Sequence, residues 1–133
     1  MKISIKLLLL FIIIGVAAAV VMNMGLLEND DPPEYIKERI ELLNTSDYSI
    51  DSIKATDEKY TIKLELNEIP RTEIIEEWTE TVCKEIRKIL VAESIYTDIS
   101  VKAYAYLMGG KTKYYGETFY DNGTHRYTFH RAD

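Results

Sequence analysis

The clearest pattern in the chain is the strict alternation of apolar and polar residues over residues 60–67, YTIKLELN. This alternation is typical of a strand with one buried face. The preceding residues, 48–56, predict a second strand, and the sequence DEK between the two favours a hairpin turn. Because the apolar positions of this second strand change phase between Ile50 and Ile53, we expect a β-bulge near Asp51 or Ser52.

Two helices are predicted from a different spacing of apolar residues. Over residues 71–94 they recur at steps of three and four, which indicates a long amphipathic helix. Its acidic residues precede its basic residues, an order that complements the helix dipole. A shorter helix is predicted after Asp31, which we expect to cap it, and this helix presents Ile36, Ile40 and Leu43 on one face.

The last third of the chain predicts three more strands, with turns at the sequences GGK and DNG. In the first of these strands, Ala103 and Ala105 alternate with Tyr104 and Tyr106, so we expect the tyrosines to point away from the long helix. The order helix-β-β-helix-β-β-β predicts an α+β domain. We expect an antiparallel sheet of about five strands with helices packed on one face.

A long apolar run precedes this domain. Residues 7–27 are uncharged, Lys2 and Lys6 come before them, and acidic residues follow. As a helix the run would measure about 31 Å, enough to cross a hydrocarbon core of about 30 Å. The alternative is a signal peptide cleaved near Ala19. The apolar run continues beyond that point as VVM, which favours a retained transmembrane signal anchor.

The sequence thus predicts three regions: residues 1–27 as membrane anchor or signal peptide, 28–33 as an acidic, proline-containing linker, and 34–133 as an extracytoplasmic domain. Basic residues before a span favour the cytoplasmic side. We therefore expect a single-pass protein of the cytoplasmic membrane with its N-terminus inside, or a secreted protein if cleavage occurs. The Asn-x-Ser/Thr triplets at Asn44 and Asn122 are possible glycosylation acceptors in predicted turns.

Charge, residue spacing and motifs argue against several functional classes. The 133 residues carry a net charge of -6, which argues against nucleic-acid binding because such binding requires clustered Lys and Arg. The single cysteine, Cys83, is either a buried apolar side chain or a bridge between two chains. His125 and His130 would point to opposite faces of a strand, so no metal site is predicted. No motif indicates a cofactor.

Aromatic residues are concentrated in the last third of the chain, together with several basic residues. Tyrosines stabilise sheets through cross-strand packing, but they are also enriched in protein-binding surfaces. We therefore predict a noncatalytic, membrane-anchored domain that binds an envelope or membrane protein through a tyrosine-rich sheet face. The predicted contact residues are Tyr104, Tyr106, Tyr115, Lys113 and Arg126.

The alternative function is that of an exported small hydrolase or ligand-binding protein with a pocket near His125. Glu117 or Asp121 would then assist the imidazole in acid or base chemistry. The sequence shows no activated nucleophile and no glycine-rich phosphate loop. Catalysis is therefore not predicted.

Overall fold

A computed structural model of the chain describes residues 31–132. In chain order its elements are α1 (Glu34–Glu41), β1 (Tyr48–Ala55), β2 (Lys59–Leu66), α2 (Thr72–Ala92), β3 (Asp98–Tyr106), β4 (Thr112–Asp121) and β5 (Arg126–Arg131). The predicted α+β class and element order are confirmed. The predicted membrane anchor or signal peptide lies outside the described residues. Within residues 31–132, no helix is long and apolar enough to cross a membrane.

The five strands form one sheet in the order β1-β2-β3-β4-β5. β1 and β2 are antiparallel, as are β3, β4 and β5, but β2 and β3 run parallel. The prediction of an antiparallel sheet was therefore wrong. The 21 residues of α2 extend about 31 Å at 1.5 Å per residue and return the chain to the end of the sheet where β2 began. A strand that starts from this end and pairs with β2 must run parallel to it.

The hydrophobic core lies between one face of the sheet and the two helices. Alternate residues of β2 and β3 are buried there, as are residues of both helices: Tyr60, Ile62, Leu64 and Leu66 from β2, Ile99, Val101, Ala103 and Ala105 from β3, Ile36 and Ile40 from α1, and Ile75, Val82, Cys83, Ile86 and Leu90 from α2. Both helices therefore cover the same face of the sheet. Cys83 takes the first of its two predicted roles, a buried side chain.

A buried hydrogen bond joins α2 to the middle of the sheet. The hydroxyl oxygens of Thr79 and Thr118 are 2.6 Å apart, and both residues are fully buried. The Thr79 hydroxyl also lies 2.9 Å from the carbonyl oxygen of Ile75, one helical turn earlier. Since Thr79 has a single hydroxyl proton and donates it to this carbonyl, Thr118 is the donor between the two threonines.

Three details of the strands and helices bear on the sequence predictions. The bulge in β1 is confirmed by a register shift between Ile50 and Ser52. A second shift, where the β4 partners of Ala103 and Tyr104 are Gly116 and Tyr114, was not predicted. The expected cap at Asp31 was wrong, because α1 begins at residue 34 behind a proline with no side-chain cap.

Candidate functional site

The sheet face opposite the helices is covered by no element within residues 31–132, and we call it the open face. It consists of the strand positions that alternate with the core residues: Ser49, Ser52 and Lys54 from β1, Lys59, Thr61, Lys63 and Glu65 from β2, Asp98, Ser100, Lys102, Tyr104 and Tyr106 from β3, Thr112, Tyr114, Glu117, Phe119 and Asp121 from β4, and Arg126, Thr128 and His130 from β5. This surface therefore combines aromatic rings with lysines.

Two tyrosine rings pack against each other on the open face, with their planes tilted by 47°. Tyr104 and Tyr114 lie opposite each other on β3 and β4, with ring centroids 5.2 Å apart. The ammonium nitrogen of Lys63 lies 4.5 Å from the centre of the Tyr104 ring, and that of Lys59 lies 5.4 Å from the Phe119 ring. A cation over an aromatic ring is attracted by the negative face of the ring. Lysines and rings thus form one mixed layer across β2, β3 and β4.

Glu117 is held by hydroxyl groups rather than by a lysine. Its carboxylate accepts hydrogen bonds from the buried Ser100 hydroxyl and, at 3.2 Å, from the Tyr114 hydroxyl. Burial and the neighbouring Glu117 charge raise the pKa of Tyr114 to about 12. The phenol therefore keeps its proton at neutral pH and remains a donor to Glu117.

Two lysines are neighbours on the open face. Lys63 of β2 lies opposite Lys102 of β3 in the parallel register, and Glu117 lies opposite Lys102 on its other side. Within residues 31–132 the ion pairs all involve residues of the helices or the end of α2: Arg39–Glu93, Glu80–Lys84 and Glu85–Lys88. Neither Lys63 nor Lys102 has a carboxylate oxygen of residues 31–132 within ion-pair distance.

Tyr106 extends this surface across three strands. Its hydroxyl donates a 2.7 Å hydrogen bond to the carboxylate of Asp51, at the bulge of β1. This hydrogen bond is the main cause of the raised pKa of Tyr106. The ring remains about half exposed, so Tyr106 is fixed in place while still presenting its surface to solvent.

The predicted contact residues do not form one cluster. Tyr104 and Tyr106 lie on the open face and point away from α2, as expected. Arg126 lies on the same face of the sheet but at the opposite end of the strands. It is beside the β4–β5 turn and opposite Asp121 in the register. The structure therefore brings together the two tyrosines and separates Arg126 from them.

Lys113 and Tyr115 lie on the helix side of the sheet. Lys113 is opposite Ala105, which is buried in the core, and Tyr115 packs against the core cluster. The Lys113 ammonium is 5.2 Å from the centre of the Tyr115 ring. Lys113 and Tyr115 lie on the helix side because of the register shift in β4. The shift places Tyr114 on the open face, where regular alternation would place Tyr115.

Four residues of the central layer were missing from the predicted contact set: Lys59, Lys63, Tyr114 and Phe119. The alternation in β2 already placed Lys63 away from the core. What the sequence did not show was that β2 lies beside β3. This neighbour relation puts Lys63 next to Tyr104 and Lys102.

The acid–base group predicted around His125 does not assemble. His125 lies exposed in the β4–β5 turn, and its Nδ1 is 2.8 Å from the Tyr120 hydroxyl on the helix side. Glu117 is on the open face. The Asp121 carboxylate accepts hydrogen bonds from the backbone N–H groups of Gly123 and Thr124. The geometry thus gives no support to a site built from these three groups.

Asn44 and Asn122 both lie in connections between elements. The Asn44 side-chain oxygen accepts a 2.6 Å hydrogen bond from the backbone N–H of Ile50. The backbone N–H of Asn122 donates to Asp98 at 2.8 Å. Glycosylation of either residue stays a prediction.

No protein-family model, no curated protein and no solved structure matches this chain. The candidate site is therefore defined by geometry and charge alone. Its best-defined part is the layer of tyrosines and lysines on the open face.

Proposed function

We propose that this chain is a membrane-tethered, noncatalytic domain that binds an acidic surface of an envelope or membrane protein through its open face. The observation that supports this function best is the position of Lys63 and Lys102 side by side, next to the tilted, packed rings of Tyr104 and Tyr114. Rigid aromatic side chains provide contact area, and the lysines provide charge that their neighbours do not neutralise.

Local charge favours an acidic partner at Lys63 and Lys102, although carboxylates such as Glu65 and Asp98 share the open face. The chain as a whole carries a net charge of -6, and glutamates are numerous on both helices. A negatively charged partner is therefore repelled by the helix side and attracted by the lysines of the open face. Such complementarity accelerates encounter and fixes the orientation of the complex.

The tether rests on the sequence. Residues 7–27 have the length and apolar character of a membrane-spanning helix, and the lysines that precede them favour an extracytoplasmic domain. Confinement to a membrane surface raises the effective concentration of partners in the same membrane. A modest affinity at the open face is then sufficient for function.

Binding to a defined acidic polypeptide tests the proposal. The full-length chain in detergent would be measured against immobilised poly-L-glutamate, with poly-L-lysine as reference. We expect K63E/K102E to weaken binding to polyglutamate at least about tenfold. The matched control is K84E/K88E on α2, which changes the net charge equally and should bind like the unmodified chain. Equal loss in both double variants would refute a site on the open face.

The same variants distinguish a protein partner from a lipid surface. For this comparison the full-length chain would be reconstituted without detergent in vesicles of zwitterionic lipid, and these would be offered polyglutamate or separate vesicles that contain phosphatidylglycerol. The proposal expects binding to polyglutamate that exceeds binding to the anionic vesicles. Lysine-dependent binding to vesicles alone would overturn the assignment to a protein partner.

A photo-crosslinking residue in place of Lys102, with Glu77 on α2 as the control position, would then identify the partner in native membranes. We expect a protein cross-linked from position 102 and absent from position 77. The purified partner should lose affinity for K63E/K102E. A partner that is captured equally from both positions would contradict the proposal.

A further inference from the structure

The outer edge of β5 has backbone groups without a strand partner within residues 31–132, because β5 is the last strand of the sheet. The N–H of Ala132 donates to Tyr115 on the β4 side. Backbone direction alternates along a strand, so Tyr127, Phe129 and Arg131 direct their N–H and C=O groups to the outer side. The backbone groups of these three alternate residues can form hydrogen bonds with another strand.

The opposite edge of the sheet is not available in the same way. β1 is bulged between Ile50 and Ser52, and the Ile50 N–H already donates to the Asn44 side chain. A chain of copies that pairs β5 of one with β1 of the next is therefore disfavoured. An assembly through β5 must use β5 on both sides, which is a closed, two-fold arrangement.

We propose that β5 pairs antiparallel with β5 of a second copy of this chain, about a two-fold axis at Phe129. In this register Tyr127 lies opposite Arg131 of the second copy, and Phe129 lies opposite Phe129. All three outward-facing residues of each strand then find partners. Thr128 lies opposite His130, so no like charges face each other. This proposal is independent of the function proposed for the open face.

The side chains fit this register. Tyr127 and Phe129 are half buried on the helix side, where the Phe129 ring lies over Gly116. Pairing places the two Phe129 side chains together at the axis and an arginine beside each Tyr127 ring, a favourable cation and aromatic combination. In both strands the side chains of Tyr127, Phe129 and Arg131 stay on the helix side of the sheet. Both α2 helices therefore lie on the same side of one continuous sheet.

Charge on α2 is also self-complementary about this axis. Glu73 and Glu76 line a depression together with Arg131, at one end of β5. Lys84 lies at the other end, with its ammonium 5.4 Å from the centre of the Tyr127 ring. Since Tyr127 of one copy faces Arg131 of the other, the basic half of each α2 faces the acidic half of its counterpart. The occupant that fits is thus a second copy.

Cysteine cross-linking of the full-length chain in detergent tests the register. Phe129→Cys should form a disulfide dimer on mild oxidation with copper phenanthroline, because the axis places the two sulfurs together. Lys54→Cys, on the β1 edge, is the control and should stay monomeric. The native Cys83 is buried and its pKa is raised to about 12, so it does not contribute. Cross-linking that is equally efficient at both positions would overturn the proposal.

A second measurement covers the case in which Phe129→Cys fails to fold. Arg131→Pro removes an outward-facing N–H that β4 does not use, whereas Arg131→Ala removes the same side chain and keeps the N–H. By sedimentation in detergent, we expect the proline variant to dimerise at least about tenfold more weakly than the alanine variant. Circular dichroism should show equal folding. Equal dimerisation of the two variants, or a monomeric unmodified chain at high concentration, would refute the β5 interface.

Discussion

Lys63 of β2 and Lys102 of β3 lie directly opposite each other on the open face, in the parallel strand pair that α2 connects. Like charges in opposed positions destabilise a sheet. The nearest carboxylate across the register, Glu117, is instead hydrogen-bonded to Ser100 and Tyr114. The two lysines thus carry like charges at opposed positions, and the Lys63 ammonium lies over the Tyr104 ring.

This repulsion predicts an unusual response to salt. Salt screens repulsion between Lys63 and Lys102, so the unmodified chain should gain stability relative to Lys63→Gln as sodium chloride is added, by a few tenths of a kcal/mol. Lys88→Gln is the control, because Lys88 attracts Glu85 at 3.2 Å and screening should act in the opposite direction. Urea unfolding at low and high salt measures both. Salt responses of the same sign would contradict the assigned charge pair.

The tyrosines of the open face should matter more for binding than for folding. Tyr104→Ser loses the ring contact with Tyr114, and Tyr106→Ser loses the hydrogen bond to Asp51. The Tyr104 change should cost about 1 kcal/mol in the free energy of unfolding, and the change at the exposed Tyr106 should cost less. The double variant should remain folded yet lose binding to polyglutamate. A large fall in the melting temperature of the double variant would instead assign both rings to the core.

The sequence was sufficient for the elements but not for all neighbours in the sheet. Alternation in β2 and helical spacing in α2 are local patterns, so they predicted the buried sides of both elements. Whether β3 pairs with β2 depends on where α2 returns the chain, and no local pattern contains that information. The position of Lys63 beside Lys102 could therefore not be predicted.

The predicted contact set grouped Lys113 and Tyr115 of β4 with Tyr104 and Tyr106, and the sheet separates them for a different reason. Regular alternation would place Tyr115 with Glu117 and Phe119, but the register shift puts Tyr114 there. At the shift, Gly116 has a φ of 144°, and a Cβ atom would come within 2.8 Å of the Phe129 ring. A glycine inside a strand indicates a bulge. This was the signal in the sequence that could have corrected the positions of Lys113 and Tyr115.

Ionisation of Tyr114 predicts a loss of stability at alkaline pH. Its pKa is raised to about 12 in the folded state, against an ordinary value of about 10. The unfolded chain therefore releases the proton first, and the contribution is complete below about pH 10 and is lost as the pH rises toward about 12. Tyr114→Phe should reduce this alkaline loss. Tyrosinate absorbance and urea unfolding across that range measure it, and an unchanged pH profile would count against the assignment.

The buried pair of Thr79 and Thr118 predicts unequal effects of two similar substitutions. Thr118→Val leaves the Thr79 proton on the Ile75 carbonyl, so it should cost only about 1 kcal/mol. Thr79→Val leaves the buried Thr118 hydroxyl without its acceptor and should cost about 1–3 kcal/mol. The double variant should cost less than the sum. Chemical unfolding of all four proteins gives the single costs and the coupling. Equal costs of Thr79→Val and Thr118→Val would refute the proposed direction of the bond, and an additive double variant would refute the bond itself.

The proposed tether predicts the mass and location of the native protein. Because residues 7–27 continue apolar beyond the alanines near residue 19, we expect recovery in the membrane fraction at full-length mass. Alkaline carbonate should leave a spanning helix in the membrane, whereas a peripheral protein would be released. A soluble species lighter by about the first 19 residues would show signal cleavage. In that case the open face would bind its partner without confinement to a membrane. The affinity for that partner would then have to be higher.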